Sequence, residues 1–147
     1  MTSRRLMHLL RRTVEQTGHR PPSSDDAAWA ESWLTCAEAS IFHRMGNADR
    51  RHSIAVARRV AGHDSSDAVT VAAALLHDAG KAVDDLRVWE RIAATFLGGR
   101  RARWRRYLDH ENIGIALLLD VGARPEVVAI LRGTDDRHHI VMAADDD

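Results

Sequence analysis

What the chain has little of narrows it first. Its single cysteine, Cys36, has no partner for an internal disulfide, and its place beside Trp33 and Ala37 in a helical stretch suits a buried or half-buried structural thiol. No stretch approaches the roughly eighteen uncharged residues that a membrane span needs. The basic start, MTSRRLMHLLRRTVEQ, has its apolar residues interrupted by Arg and Glu too soon for the h-region of a signal peptide, so a cytoplasmic protein is expected. Acidic and basic side chains balance at 21 each, which leaves no net field to attract nucleic acid or an acidic membrane surface. Nothing alternates with a period of two for long enough to make a sheet, and there is no repeat or low-complexity tract.

What is present is helical periodicity over 147 residues, enough for one domain that buries its own core. Leu6, Leu9, Leu10 and Val14 share one side of a short helix over 3–17. GHRPPSSDD interrupts it and caps the next, which is expected over 25–45 with Trp29, Trp33, Ile41 and Phe42 inward. This Trp-bearing helix is read as core rather than as a pocket wall or the face of a homodimer. A third segment, ADRRHSIAVARRVAG, sets His52, Ala55, Val56, Arg59 and Val60 at helical spacings and ends at Gly62. From Ala68 to Leu76 the only polar side chain is Thr70, and a helix apolar on nearly all sides is a central one. Further helices are expected over 84–97, over 102–121 with Gly114 as a weak point, over RPEVVAILRG with its N-terminal proline and C-terminal glycine, and over RHHIVMAADDD. The fold expected is a single all-α, bundle-like domain of six to eight helices.

The stretch AALLHDAGK, within residues 73–81, carries the chemistry. His77 and Asp78 close the most apolar helix, with Gly80 expected to terminate it, and an ionised carboxylate taken out of water without a partner costs several kcal/mol. Something positive must face Asp78. An arginine would do, since 20 of the 21 basic residues are arginines and Lys81 is the only lysine. A divalent cation would also do, because imidazole and carboxylate are both good ligands for one. A second His-Asp pair, His63-Asp64, follows Gly62 in an expected loop and carries no such burden.

Four segments, ADRRHSIAVARRV, AAALLHDAGK, YLDHENIGIALLLDVGA and MAADDD, resemble the HD-domain superfamily of metal-dependent phosphohydrolases over roughly residues 47–147. The resemblance divides the chain into an N-terminal helix and linker, 1–22, and an HD domain, 23–147. It implies one divalent ion (Mn, Fe, Co, Ni or Zn) held by His52, His77, Asp78 and Asp145. Lys81, in the HDxGK variant, would contact a substrate phosphate, although a cation near a helix C-terminus also compensates the dipole. His110 would be an acid or a phosphate-binding group. By themselves, His52 suits a helix start and Asp145 a solvated acidic tail, with Asp146 or the terminal carboxylate as alternatives. Members with two metals follow the later histidine with paired histidines; here Thr134 and Asp135 fall in their place, and His138 and His139 come too late and are read as surface residues.

A single divalent ion neutralises phosphoryl charge and can lower the pKa of bound water from about 15.7 toward 7. The resemblance therefore implies hydrolysis of a nucleotide or other small phosphate ester, with Asp78, Lys81 and His110 catalytic. In RRARWRR, residues 100–106, Trp104 among five arginines is read as a solvated helix face rather than a nucleic-acid site; a middle reading has Arg101, or else Arg100 or Arg103, bordering the pocket to attract an anionic substrate. The alternative is a degenerate HD domain that binds a metal or nucleotide as a regulatory module without turnover.

Overall fold

The computed structural model describes residues 20–82 and 110–147. Among them are seven α-helices and no strand, as the periodicity predicts. They are α1 (Ser24–Glu31), α2 (Cys36–Arg44), α3 (Asn47–Ala61), α4 (Ala68–Leu76), α5 (His110–Val121), α6 (Pro125–Leu131) and α7 (His138–Asp146), with a 3₁₀ turn over Ala79–Ala82 after α4. The helices expected over 3–17 and 84–97, the start of the one expected from 102, and the RRARWRR segment with Arg101 lie outside the described residues, as does the side chain of His110.

The helix expected over 25–45 is two helices, broken at residues 32–35. Thr35 closes a capping box, its hydroxyl accepting from the amide of Glu38 while the Glu38 carboxylate accepts from the amide of Thr35 at 3.0 Å. The T-x-x-E pattern starts a new helix where apolar spacing alone continues the old one. Ile41 and Phe42 are buried, whereas Trp29 and Trp33 are half-buried and pack on each other edge to face. Arg58 lies over the Trp29 ring. Cys36, the first residue of α2, is exposed, which corrects its expected burial: the break at 32–35 places it at the start of a new helix rather than inside a continuous one.

α4 is the central element. Every residue from Thr70 to Leu76 is buried, and the helix packs mainly on α3 and α6, with further contact to α7 and α2. Each large side chain in it, such as Leu75 or Leu76, contributes on the order of 1.5–3 kcal/mol by leaving water. Asp67 caps its start, accepting from the amide and hydroxyl of Thr70 at 2.8 and 2.7 Å. Arg137, just before α7, holds Asp67 and Asp135 together, at 2.7 and 2.8 Å.

Two further contacts set where the ends of α4 and α7 come to rest. Gly114, expected as a weak point of its helix, is a close approach instead: a Cβ there would meet the backbone nitrogen of Gly80 at 2.9 Å. The missing side chain lets α5 press directly on the 3₁₀ turn. Arg59, on α3, donates to the carbonyl of Ala144 at 2.8 Å, fixing the last turn of α7. A buried Glu38 also ties α2 to the start of α6, accepting from the Arg124 amide at 3.0 Å and from its guanidinium at 2.9 and 2.8 Å.

Candidate metal centre

Three helices deliver the site. α3 carries His52 in its second turn, α4 ends with His77 as its C-cap, and α7 brings Asp145 back from near its far end. One ligand atom from each of these residues can be chosen so that all lie within 4.8 Å of one another. Asp145 Oδ1 stands 2.8 Å from His52 Nε2 and 3.5 Å from His77 Nε2, and the two imidazoles meet edge to face with centroids 5.5 Å apart. Asp145 is half-buried while Asp146 and Asp147 are exposed, so the helical register turns the first of the three terminal aspartates inward.

Asp78 lies beside this group. Its Oδ2 is 3.7 Å from His77 Nε2 and 2.7 Å from Lys81 Nζ. Among the described residues, the positive group that faces Asp78 is therefore the lysine three residues on. Lys81 sits on the 3₁₀ turn rather than in the last turn of α4, and its ammonium is engaged by Asp78 instead of standing free for a phosphate.

His77 sets the electrostatics. Its Nδ1 is 2.7 Å from the carbonyl of Ala74, an acceptor, so Nδ1 carries the proton and Nε2 presents its lone pair inward. Nε2 is buried and makes no hydrogen bond, in a side chain only 6% exposed. It faces two carboxylate oxygens at 3.5 and 3.7 Å. Three electron-rich atoms that converge repel one another, and a cation among them relieves that repulsion beyond what the Lys81 ammonium does at Asp78. A proton is one such cation: burial lowers the basicity of His77, but the Asp145 and Asp78 carboxylates and the Ala74 carbonyl outweigh it and raise the pKa. Contacts from His52 and His77 likewise hold the Asp145 carboxyl far below the usual carboxylate range, against the effect of burial. A divalent metal is the other. Ligand atoms each about 2.1 Å from one ion at tetrahedral angles stand about 3.4 Å apart, close to the spacings found around His77 Nε2. Two imidazoles and a carboxylate are donor types that suit a divalent ion, and the 2.8 Å His52–Asp145 hydrogen bond would have to open to admit one.

A cavity of about 120 Å³ opens on the group, with room for several water molecules. His77, Asp78, Asp145 and His138 form its polar side; Leu76, Ile115, Leu131 and Met142 form its apolar side. His138 corrects the expected surface position. It is half-buried in the wall, with Nδ1 2.8 Å from the Ile130 carbonyl, whereas His139 is exposed. The missed signal is spacing: His138, Met142 and Asp145 stand at i, i+4 and i+7, one face of a helix. A left-handed Gly133, at φ 74°, ends α6 and leaves ordinary contact distance to the His138 ring. Thr134 and Asp135 are occupied locally, the first with the Ala129 carbonyl and the second with Arg137.

Among the described residues no helix is long and apolar enough to cross a membrane. Comparison of the chain with protein-family models, with curated proteins and with solved structures finds no match in any of the three.

Proposed function

We propose that the chain is a metal-dependent phosphohydrolase of the HD-domain type, hydrolysing a nucleotide or other small phosphate ester at a single-metal site. The reading is carried above all by His77 Nε2, which is buried without a hydrogen bond and faces Asp145 and Asp78, with His52 closing the group from α3. His52, His77 and Asp145 would hold the ion, with Asp78 as the adjoining fourth ligand. A divalent cation there would neutralise phosphoryl charge and activate water. The chain supplies the rest. The Ala74 carbonyl fixes the His77 tautomer. Arg59 steadies the turn that bears Asp145, and Leu76, Ile115, Leu131 and Met142 keep one wall of the cavity dry. In this reading Lys81 stabilises charge on the phosphate oxygens.

A second reading is a regulatory module that binds metal or nucleotide without turnover. It is favoured by the Lys81–Asp78 ion pair, which occupies both groups, and by Thr134 and Asp135 standing where two-metal enzymes carry histidines. One experiment separates the two: elemental analysis of the purified protein, followed by phosphate release from a nucleotide panel with Mn(II), in wild type and His77→Ala. Stoichiometric metal with His77-dependent release supports the hydrolase. Metal without release from any substrate supports the module, and absence of metal leaves a plain helical bundle.

A further inference from the structure

Asp78 Oδ2 has two claimants. Lys81 Nζ donates to it at 2.7 Å, and Nε2 of His77, which has no partner in hydrogen-bonding geometry among the described residues, lies 3.7 Å away. The second distance is too long for a hydrogen bond and close to the separation of two ligand atoms around one ion. The oxygen that neutralises the ammonium is therefore the one that a cation at His77 would take. The backbone of this turn is held at two points. Gly80 is pressed against Gly114, and the Lys81 amide is bonded to the Asp78 carbonyl at 3.0 Å. Only side chains can trade partners, and the lysine is the freer of the two, 32% exposed against 16% for Asp78.

We propose that Lys81 is a displaceable counter-ion. A divalent cation bound by His52, His77 and Asp145 takes Asp78 Oδ2, and the released ammonium turns to the anionic group of the substrate. The inference rests on the single-metal reading above and adds a coupling to it. Cation and phosphate tighten each other through Lys81 as well as through their direct attraction, and the effect is reciprocal. A lysine suits this exchange: it is one compact charge on a flexible stem, whereas a guanidinium would lock a carboxylate in a two-pronged pair.

The test is a calorimetric Mn(II) titration of the full chain, without substrate, across wild type, Lys81→Met, Asp78→Asn and the double variant, each checked for helical content. Lys81→Met is expected to tighten Mn(II) about 3- to 5-fold, the upper part of the range for a partly exposed ion pair removed as a competitor. In the Asp78→Asn background the same substitution is expected to change affinity by less than about two-fold. With Mn(II) saturating, inorganic phosphate is expected to bind Lys81→Met about tenfold more weakly than wild type. Equal tightening of Mn(II) in both backgrounds would identify a through-space charge effect and overturn the exchange. Unchanged or weaker Mn(II) binding in Lys81→Met, or unchanged phosphate binding, would overturn it too. Wild-type protein that takes up no Mn(II) would instead bring down the metal reading itself, and the exchange with it.

Discussion

Asp145 Oδ1 lies 2.8 Å from Nε2 of His52, which precedes it by 93 residues. This one contact joins the second turn of α3 to the end of α7, and His77 adds the end of α4 to the same carboxylate oxygen at 3.5 Å. A group assembled from three helices is formed only in the folded chain, so whatever binds there stabilises the fold by mass action.

The first prediction follows from that linkage. At a Mn(II) concentration about 100 times Kd, stabilisation is about 2.7 kcal/mol, a rise in melting temperature on the order of 10 °C for a domain of this size. A chelator should reverse it. His77→Ala and Asp145→Asn should each remove most of the rise. A rise of equal size in either variant, seen by differential scanning calorimetry, would show that the ion binds elsewhere.

A second prediction concerns Gly114. Alanine is the better helix former by about 1 kcal/mol, so propensity alone predicts that Gly114→Ala stabilises the protein. The added Cβ, however, would stand 2.9 Å from the Gly80 nitrogen, a backbone atom that cannot rotate away. Overpacking of this kind costs typically 1–3 kcal/mol. The net expectation is destabilisation by about 1 kcal/mol in urea unfolding, with weaker Mn(II) binding because the turn bearing Asp78 and Lys81 is displaced. A stabilised variant would show that the two backbones can separate without cost.

These two sites differ in how far the sequence announces them. The bundle is legible because Thr70 is the one polar residue in α4 and because Pro125 and Gly133 bracket α6. The inward register of Asp145 follows from the apolar residues before it. Other features depend on facts that spacing does not carry. The break before α2 comes from a hydrogen-bonded cap, so a hydrophobic pattern reads straight through it. Gly114 looks like a helix weakness until the neighbour it touches is known, and that neighbour is 34 positions away in another element. His138 reads as a surface residue by its distance along the chain, whereas its helical face places it in the cavity wall. The pairing of Lys81 with Asp78 is likewise unmarked, because nothing in sequence ranks an i, i+3 carboxylate above a ligand.

A third prediction concerns acid stability. Burial alone would raise the pKa of Glu38, but the Arg124 side chain and the amides of Thr35 and Arg124 outweigh it, and the net shift is below the ordinary value of 4.5. With the folded value below the unfolded one, the ionised carboxylate stabilises the native state fully above about pH 5. That contribution is lost as pH falls through the folded value. Glu38→Gln should therefore cost stability at pH 7, with the difference from wild type shrinking steadily below about pH 4. Other depressed carboxylates, Asp145 and Asp67 among them, shape the acid limb of both proteins and cancel in that difference. A gap independent of pH would mean that the charge of Glu38 is immaterial.

The fourth prediction separates positioning from ligation. Arg59 donates to the Ala144 carbonyl, one residue before Asp145. Arg59→Met keeps much of the side chain's apolar length and removes that bond, so global stability should fall by about 1 kcal/mol. Mn(II) affinity should fall as well, by less than in Asp145→Asn, because the carboxylate remains and only its support is loosened. Hydrogen exchange at the end of α7 should rise in Arg59→Met and slow again when Mn(II) is added, since the ion restrains the same turn from its other side. If affinity fell as far as in Asp145→Asn with no change in exchange, Arg59 would be acting on the ion through its charge, and the clamp between α3 and α7 would have no part in holding the site.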